Sequence, residues 1–391
     1  MKALILTMQC GECHNTVAKS VSAALKERGV ETKIVSIFES NPRLEKWNNN
    51  ACLFFHKKFR RLYNFIWNIE RKRNPKKRFK GISIAQIKSV LGHMKNVIDE
   101  FSPDFIVCTH NYASNIVSTL IYQGKIQKIP AFSFLLDYVV HPFWEDSILI
   151  NTVFTPHEST HAGLIEKGFS PSQLEVSGFP INEKFYEAIE KHQARQTLKL
   201  EEKFTILSLG GGEGLTNQIG LIRAIKKCRN FSNMQILIVC GNNTKAKNKV
   251  EKYLLKNKIA NVKVFGFVSF MRELICAADI VFSAAGGGTI SEVLALKTPL
   301  ILREKTTTNE TFNKRTLVEN GLGFGMNRPQ DATKIIDNLI SNPAAIANMQ
   351  EKINQFFKPF GTLNAVAIML EKVNSLNKVK LVNEVNKVNK P

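Results

Sequence analysis

The chain has 391 residues, of which 44% are hydrophobic and 22% charged. That length exceeds a single hydrophobic core, and the composition excludes a largely disordered or collagen-like chain. Lys and Arg outnumber Asp and Glu by 54 to 33, a formal net charge of +21, and such a surplus calls for a phosphate-bearing partner, either nucleic acid or an anionic membrane surface. The seven cysteines are odd in number and scattered, which fits a reduced, cytoplasmic compartment better than a disulfide framework. The apolar run within Met1 to Thr7 is too short for a signal sequence and lacks a small-residue cleavage site, so no export signal is expected. Residues 105–124 carry no Asp, Glu, Lys or Arg, yet His110, Asn111 and Asn115 make them too polar to span a bilayer.

Short apolar runs alternate with amphipathic stretches, the pattern of parallel strands joined by crossover helices. Residues 3–7 predict a first strand, 15–28 a helix and 32–37 a second strand. In that helix Val17, Val21 and Leu25 recur at i, i+4 and i+8, and Gly29 supplies the stop. Further strands are expected at 104–108, 130–136 and 151–155, and a second set at 204–209, 235–240, 262–265, 279–283 and 299–302. The intervening stretch, 185–203, is charged and helix-prone and reads as the connection between two doubly wound domains. Such sheets bind ligands at their carboxyl ends, so the active site is expected in a cleft between the domains.

Residues 43–80 break the alternation. They hold thirteen Lys and Arg against two Glu, a local balance of +11, with eight aromatic residues interleaved. Phe55, Phe59, Leu62 and Ile66 fall at helical spacing beside a cationic face, a composition suited to a membrane-surface helix. Trp47, Phe55, Lys57, Lys58, Phe59, Arg60, Arg61 and Trp67 are the candidate docking residues. No helix-turn-helix, zinc finger or ribonucleoprotein motif accompanies the charge, so nucleic acid is not the expected partner.

Cys10-Gly11-Glu12-Cys13-His14 matches a haem-attachment string and, in its first four residues, a redox dithiol. Haem attachment requires export, and a two-domain chain of this length is not a thioredoxin fold. Two thiols and one histidine also leave a fourth metal ligand unassigned, so no metal and no cofactor are expected. The turn itself offers a different chemistry, because His14 falls at the start of the first helix, where an imidazole can serve as a general base. In the second half, Ser208-Leu209-Gly210-Gly211-Gly212-Glu213-Gly214 and Ser283-Ala284-Ala285-Gly286-Gly287-Gly288-Thr289 each follow a strand and precede a helix. Neither is a Walker A loop, yet both present backbone amides and a helix N-terminus to an anion such as a pyrophosphate. Glu292, one turn into the second of these helices, is a candidate partner for a ribose.

With these residues in place the sequence resembles the monogalactosyldiacylglycerol synthase and processive diacylglycerol glucosyltransferase family and, more distantly, the lipid-intermediate N-acetylglucosaminyltransferase of peptidoglycan synthesis. The matching pieces are 11–18 with His14, Asp137-Tyr138-Val139-Val140-His141-Pro142-Phe143-Trp144, Val176-Ser177-Gly178-Phe179-Pro180, the two glycine loops, Cys240-Gly241-Asn242, Gly266-Phe267-Val268 with Met271, Glu292, and Asn309-Glu310-Thr311-Phe312-Asn313. Where family members carry glycine before the histidine, this chain has Cys13.

The resemblance implies an α/β GT-B fold, two Rossmann-like domains facing an interdomain cleft, and inverting transfer of glucose or galactose from a UDP-sugar to diacylglycerol or a glycosyl-diacylglycerol. It implies an acceptor and membrane-docking domain over 1–190, a UDP-sugar domain over 200–355, and a C-terminal helix at 356–391 packing back on the first domain before a basic tail. Phe267, Val268 and Met271 would line the uracil and Glu292 the ribose. Gly287, Gly288 and Thr289, with Gly210, Gly211 and Gly212, would hold the phosphates, and Asn309, Glu310 and Asn313 the sugar. His14 would be the base, with Asp137 orienting it or holding the acceptor, and His141 is a second candidate. The expected location is the inner face of the cell membrane. A transferase of this fold acting on a polyprenyl-linked acceptor, and a non-catalytic membrane-surface protein, are the other readings.

Overall fold

A computed structural model describes residues 1–9, 13–41, 43, 45, 65, 69, 79, 84, 87–187, 189–210, 217–303 and 308–388, side chains of 308 and 379–388 excepted. The eight candidate docking residues between Trp47 and Trp67 lie outside the described residues, as do Cys10, Gly211 and Gly212. Among the described residues no helix is long and apolar enough to cross a membrane. Contacts divide the chain into two compact units. One comprises Met1–Leu136, Val140–Asn182 and Phe360–Pro391; the other comprises Asp137–Val139 and Glu183–Pro359.

The first unit is built on a six-stranded parallel sheet: β1 (Lys2–Thr7), β2 (Glu31–Ser36), β3 (Phe105–Cys108), β4 (Ala131–Phe134), β5 (Thr152–Thr155) and β6 (Leu174–Val176). The strand order is β2-β1-β3-β4-β5-β6. Helix α1 (Cys13–Lys26) turns Val17, Val21 and Leu25 into the core, and Gly29 follows at φ +74°, the left-handed conformation that glycine adopts without a Cβ penalty. Helices α2 (Leu91–Phe101) and α3 (Asn111–Tyr122) precede and follow β3. The sheet's central residues, among them Leu4, Ile5, Leu6, Ile106 and Val107, are fully buried, as a parallel sheet covered on both faces requires.

The second unit repeats the plan with β7 (Phe204–Leu209), β8 (Met234–Val239), β9 (Val262–Phe265), β10 (Ile280–Ser283), β11 (Leu300–Leu302) and β12 (Gly323–Gly325), in the order β12-β11-β10-β7-β8-β9. Counted from β7 as first strand, this is the Rossmann order, which reverses direction between β10 and β7. In the first unit the corresponding reversal lies between β1 and β3. Both edge strands that the alternation misses, β6 and β12, are three residues long, too short for a periodic signal. In β12 the signal is weaker still, because a Cβ at Gly323 would sit 3.0 Å from the Leu300 carbonyl oxygen. Close backbone approach selects glycine there against strand propensity.

The chain ends by returning to its first unit. Helix α13 (Gly361–Val388) buries Ala365, Val366, Met369 and Val373 and packs on α1. Asn364 Nδ2 donates to the Ser177 carbonyl at 2.9 Å, and Lys372 Nζ to Glu175 at 2.8 Å. At the helix start a Cβ on Gly361 would lie 2.4 Å from the Phe179 carbonyl oxygen, a collision with backbone rather than with a movable side chain. Replacing Gly361 by Ala is therefore expected to destabilise the first unit by about 1–3 kcal/mol in urea unfolding. Gly92→Ala, where the added methyl meets nothing within 4 Å, should be neutral or stabilising by up to about 1 kcal/mol.

Candidate active site

The candidate residues collect at the carboxyl ends of the strands in each unit. In the first unit His14 is the second residue of α1, just beyond β1, and Thr109 and His110 stand just beyond β3. A buried network ties the two strand ends together: Thr109 Oγ1 donates to Thr7 Oγ1 at 2.9 Å, Thr7 Oγ1 donates to Asn15 Oδ1 at 3.0 Å, and the Thr109 amide donates to the Leu6 carbonyl at 3.0 Å. His14 Nδ1 lies 2.5 Å from the Thr109 carbonyl oxygen. A carbonyl can only accept, so Nδ1 carries the proton, and in the neutral ring Nε2 holds the lone pair.

His110 stands edge-on to His14 with ring centroids 4.5 Å apart, and caps α3 by accepting the Tyr112 amide on its own Nδ1 at 3.0 Å. Its tautomer is thus the opposite of that of His14. His141 completes a histidine cluster, and its Nδ1 is buried without a hydrogen-bond partner among the described residues. Burial disfavours the charged form of all three: it lowers His14 below 6.5, lowers His110 well below that value with help from the His14 and His141 charges, and pushes His141 down to about 3. Among the described residues no group of three His, Cys, Asp or Glu is arranged to hold a metal ion.

In the second unit Gly210 ends β7, Gly266, Phe267 and Val268 follow β9, and Met271 opens helix α8 (Met271–Ala277). Before it come α4 (His161–Glu166), α5 (Lys191–Thr197), α6 (Gln218–Ile225) and α7 (Thr244–Lys256), and towards the end of the unit lie α11 (Asp331–Ser341) and α12 (Pro343–Phe356). Phe267 is 70% exposed, an aromatic face open to stacking at the end of the sheet. Helix α9 (Gly287–Ala295) starts from Gly286, which as N-cap offers no side chain to the first-turn amides; Gly287, Gly288 and Thr289 form that turn. Burial raises Glu292, in the second turn, to about 7. Asn309 and Glu310 lie in the first turn of α10 (Thr308–Glu319), with a Glu310 oxygen 3.8 Å from where a Gly286 Cβ would be.

Asn313, also on α10, is fully buried and its amide is engaged on every side: Nδ2 donates to Asp137 Oδ1 at 2.7 Å and to the Ala285 carbonyl at 2.9 Å, and Oδ1 accepts the Tyr138 amide at 2.9 Å. Tyr138 reaches on through a 2.9 Å hydroxyl contact to Ser291 of α9, whose Oγ donates to the Gly287 carbonyl at 2.8 Å. The segment Asp137–Val139 is thereby fastened to the glycine-loop helix of the second unit. Burial raises the Asp137 carboxyl to about 7; the Asn313 hydrogen bond opposes the shift and the Glu310 charge adds to it.

Three participants carry no sequence motif of their own. The Thr109 carbonyl is backbone, His110 reads as one polar residue in an apolar stretch, and the Tyr138–Ser291 contact joins residues 153 apart in sequence. The one available signal was position, since Thr109 and His110 follow a strand as directly as His14 does.

Two parallel doubly wound units in succession make this a GT-B-type protein. Among solved structures, MurG from Acinetobacter baumannii aligns with a TM-score of 0.65 at 14% identity, covering 95% of this chain and 100% of its own. The UDP-GlcNAc 2-epimerase from Neisseria meningitidis aligns with 0.62 at 16%, covering 96% and 100%; the fold is thus common to transferases and epimerases. Residues 14–181 match the monogalactosyldiacylglycerol (MGDG) synthase family, and 184–360 the glycosyltransferase family 28 C-terminal domain. Between them the two matches span most of the chain, and its curated relatives include monogalactosyldiacylglycerol synthases and processive diacylglycerol beta-glucosyltransferases. It is 27% identical to the processive diacylglycerol beta-glucosyltransferase of Bacillus pumilus over 90% of both chains. To the chloroplastic monogalactosyldiacylglycerol synthase of Spinacia oleracea it is 25% identical over 86% of this chain, and it spans 65% of that protein's length.

Two outcomes follow from this geometry. In the unfolded chain the three imidazoles protonate near 6.5, whereas in the native state they remain neutral to lower pH, so the unfolded state takes up protons first. Stability should be full above pH 6.5 and fall on acidification, by up to about 1.4 kcal/mol per pH unit for each imidazole; urea unfolding free energies equal at pH 7.5 and 5.5 would contradict this. Asn313→Ala strands Asp137, the Tyr138 amide and the Ala285 carbonyl, and should cost about 2–4 kcal/mol, read as a lower thermal midpoint.

Proposed function

We propose that the chain is an inverting glycosyltransferase that moves a hexose, glucose or galactose, from a UDP-sugar to the hydroxyl of diacylglycerol or a glycosyl-diacylglycerol. The observation that carries this reading is the coincidence of the family match with His14 held as the neutral Nδ1–H tautomer, its Nε2 available as a base. A glycerol hydroxyl is a poor nucleophile at neutral pH. Nε2 takes its proton as the oxygen bonds to the anomeric carbon; the bond from that carbon to the diphosphate oxygen breaks, its electron pair leaves with UDP, and attack opposite the leaving group inverts the centre.

Donor binding falls to the second unit. Phe267, with Val268 and Met271 beside it, stacks on the uracil, and Glu292 accepts from the ribose. The first turn of α9 at Gly287, Gly288 and Thr289, with the loop at Gly210, Gly211 and Gly212, receives the diphosphate at the positive end of the helix. Asn309 and Glu310 meet the hexose. Asn313 acts through its neighbours, setting the place of Asp137. Trp47, Phe55, Lys57, Lys58, Phe59, Arg60, Arg61 and Trp67 dock the protein peripherally on anionic lipid at the inner face of the cell membrane.

Incubated with UDP-glucose or UDP-galactose and diacylglycerol vesicles, the protein should release UDP in a lipid-dependent way; no such release with either donor would refute the assignment. His14→Ala should lower kcat by about 10²- to 10⁴-fold, and the acid limb of the wild-type kcat/KM profile should fall below pH 6.5 because burial depresses His14. Phe267→Ala should weaken UDP binding by about 1–3 kcal/mol in calorimetric titration, and an unchanged affinity would remove Phe267 from the uracil.

A further inference from the structure

The first unit holds a set of side chains that the base alone does not explain. Ring contacts run from His14 to His110 at 4.5 Å, from His110 to Tyr112 at 5.2 Å, from Tyr112 to Phe143 at 6.1 Å and from Phe143 to His141 at 6.3 Å. His14 also lies close enough to His141 for its charge to lower the His141 pKa. All five rings are half-buried rather than sealed in the core. Two polar atoms at this ring are buried without a hydrogen-bond partner among the described residues, His141 Nδ1 and Asn111 Nδ2, and Asn111 as a residue is only 5% exposed.

The orientation of Asn111 follows from its helix. One turn further along α3, Asn115 donates to the Phe143 carbonyl at 3.2 Å and accepts from Ser147 Oγ at 2.5 Å. Residues i and i+4 share a helix face, so Asn111 faces the start of the same segment, where His141 stands. A buried amide nitrogen left unpaired costs about 1–3 kcal/mol, and native proteins leave few such groups unless something else occupies them.

We infer that this ring of side chains, with the Asn111 amide and His141 as its hydrogen-bonding groups, is the seat for the alcohol end of the acceptor, a neutral glycerol-type group carrying a free hydroxyl next to ester oxygens. The inference rests on the transferase reading for the identity of that group. The chemistry of the seat supports the neutral class. Its imidazoles are uncharged, and Lys167, the cation that acts on His141, is paired with Glu145, leaving aromatic edges for the glycerol carbons and two polar atoms for oxygens. Asn111 Nδ2 donates to one oxygen and His141 holds a second, while His14 Nε2 receives the proton of the reacting hydroxyl. Asn111 and His141 are positioning residues for the acceptor.

The test is a titration of the full chain with dioctanoylglycerol, read from the ring C–H resonances of His14, His110 and His141 by NMR, beside steady-state kinetics with the same lipid. Saturable shifts at these histidines are expected in the wild type. Asn111→Ala and His141→Phe should each raise the dissociation constant and the acceptor KM by about 5- to 10-fold, the loss of one hydrogen bond, with UDP affinity unchanged. Because Asn111 Nδ2 has no hydrogen-bond partner among the described residues, Asn111→Ala should also leave the melting temperature unchanged or raised. Absence of shifts at the three histidines, equal lipid affinity in both variants, or a lowered melting temperature in Asn111→Ala would each overturn the seat. Saturable binding here without lipid-dependent release of UDP would refute the transferase reading and leave the seat standing.

Discussion

The hydrogen bond between His14 Nδ1 and the Thr109 carbonyl depends on one topological fact, the parallel pairing of β1 with β3. In that arrangement the residues just past Thr7 and just past Cys108 emerge side by side, and the Thr7–Thr109–Asn15 network fixes how closely. Many catalytic histidines are oriented by a carboxylate, which adds charge as well as direction. A backbone carbonyl supplies direction with only a dipole, so His14 is held in one tautomer without a carboxylate raising its affinity for a proton. Burial also lowers its affinity for a proton, which favours the neutral ring.

The second unit solves a related problem with side chains. Asn313 saturates its donors and acceptor on Asp137, Tyr138 and Ala285, and Tyr138 continues the connection to Ser291 and the first turn of α9. A three-residue segment that interrupts the first unit in sequence is thus part of the second in space. Any movement of α9 or α10 carries Asp137 with it. The raised carboxyls of Asp137 and Glu292, both about 7, mark the places where the second unit withdraws acids from water without supplying a full countercharge.

The fold was largely legible because apolar periodicity survives wherever an element is buried on a regular face. β7 and β9 fall at the residues the alternation picks out, and α1 shows its Val17, Val21 and Leu25 face directly. β6 and β12 were not legible, because three-residue edge strands carry no period and glycine in β12 answers to a neighbouring backbone. His14 was legible from its place at a strand-to-helix turn together with the family likeness. Thr109 was not, since any residue type offers the same carbonyl, and neither were the Asn313 bonds to Asp137, Tyr138 and Ala285, which only tertiary contacts set. Residue identity reports chemistry well, but it reports poorly which atoms of a side chain are already occupied.

The return of α13 to the first unit gives that unit an unusual genetic layout. Its two pieces flank the second unit in the sequence, and the close approach of Gly361 to Phe179 sits where the intervening stretch leaves and rejoins. The second unit can be cut out as nearly one continuous fragment, but the first cannot: a fragment ending at Asn182 would lack the helix that covers α1, the element bearing His14. Recombination that exchanges the second unit among relatives therefore needs two crossovers, and a single one would separate α1 from the helix that packs on it.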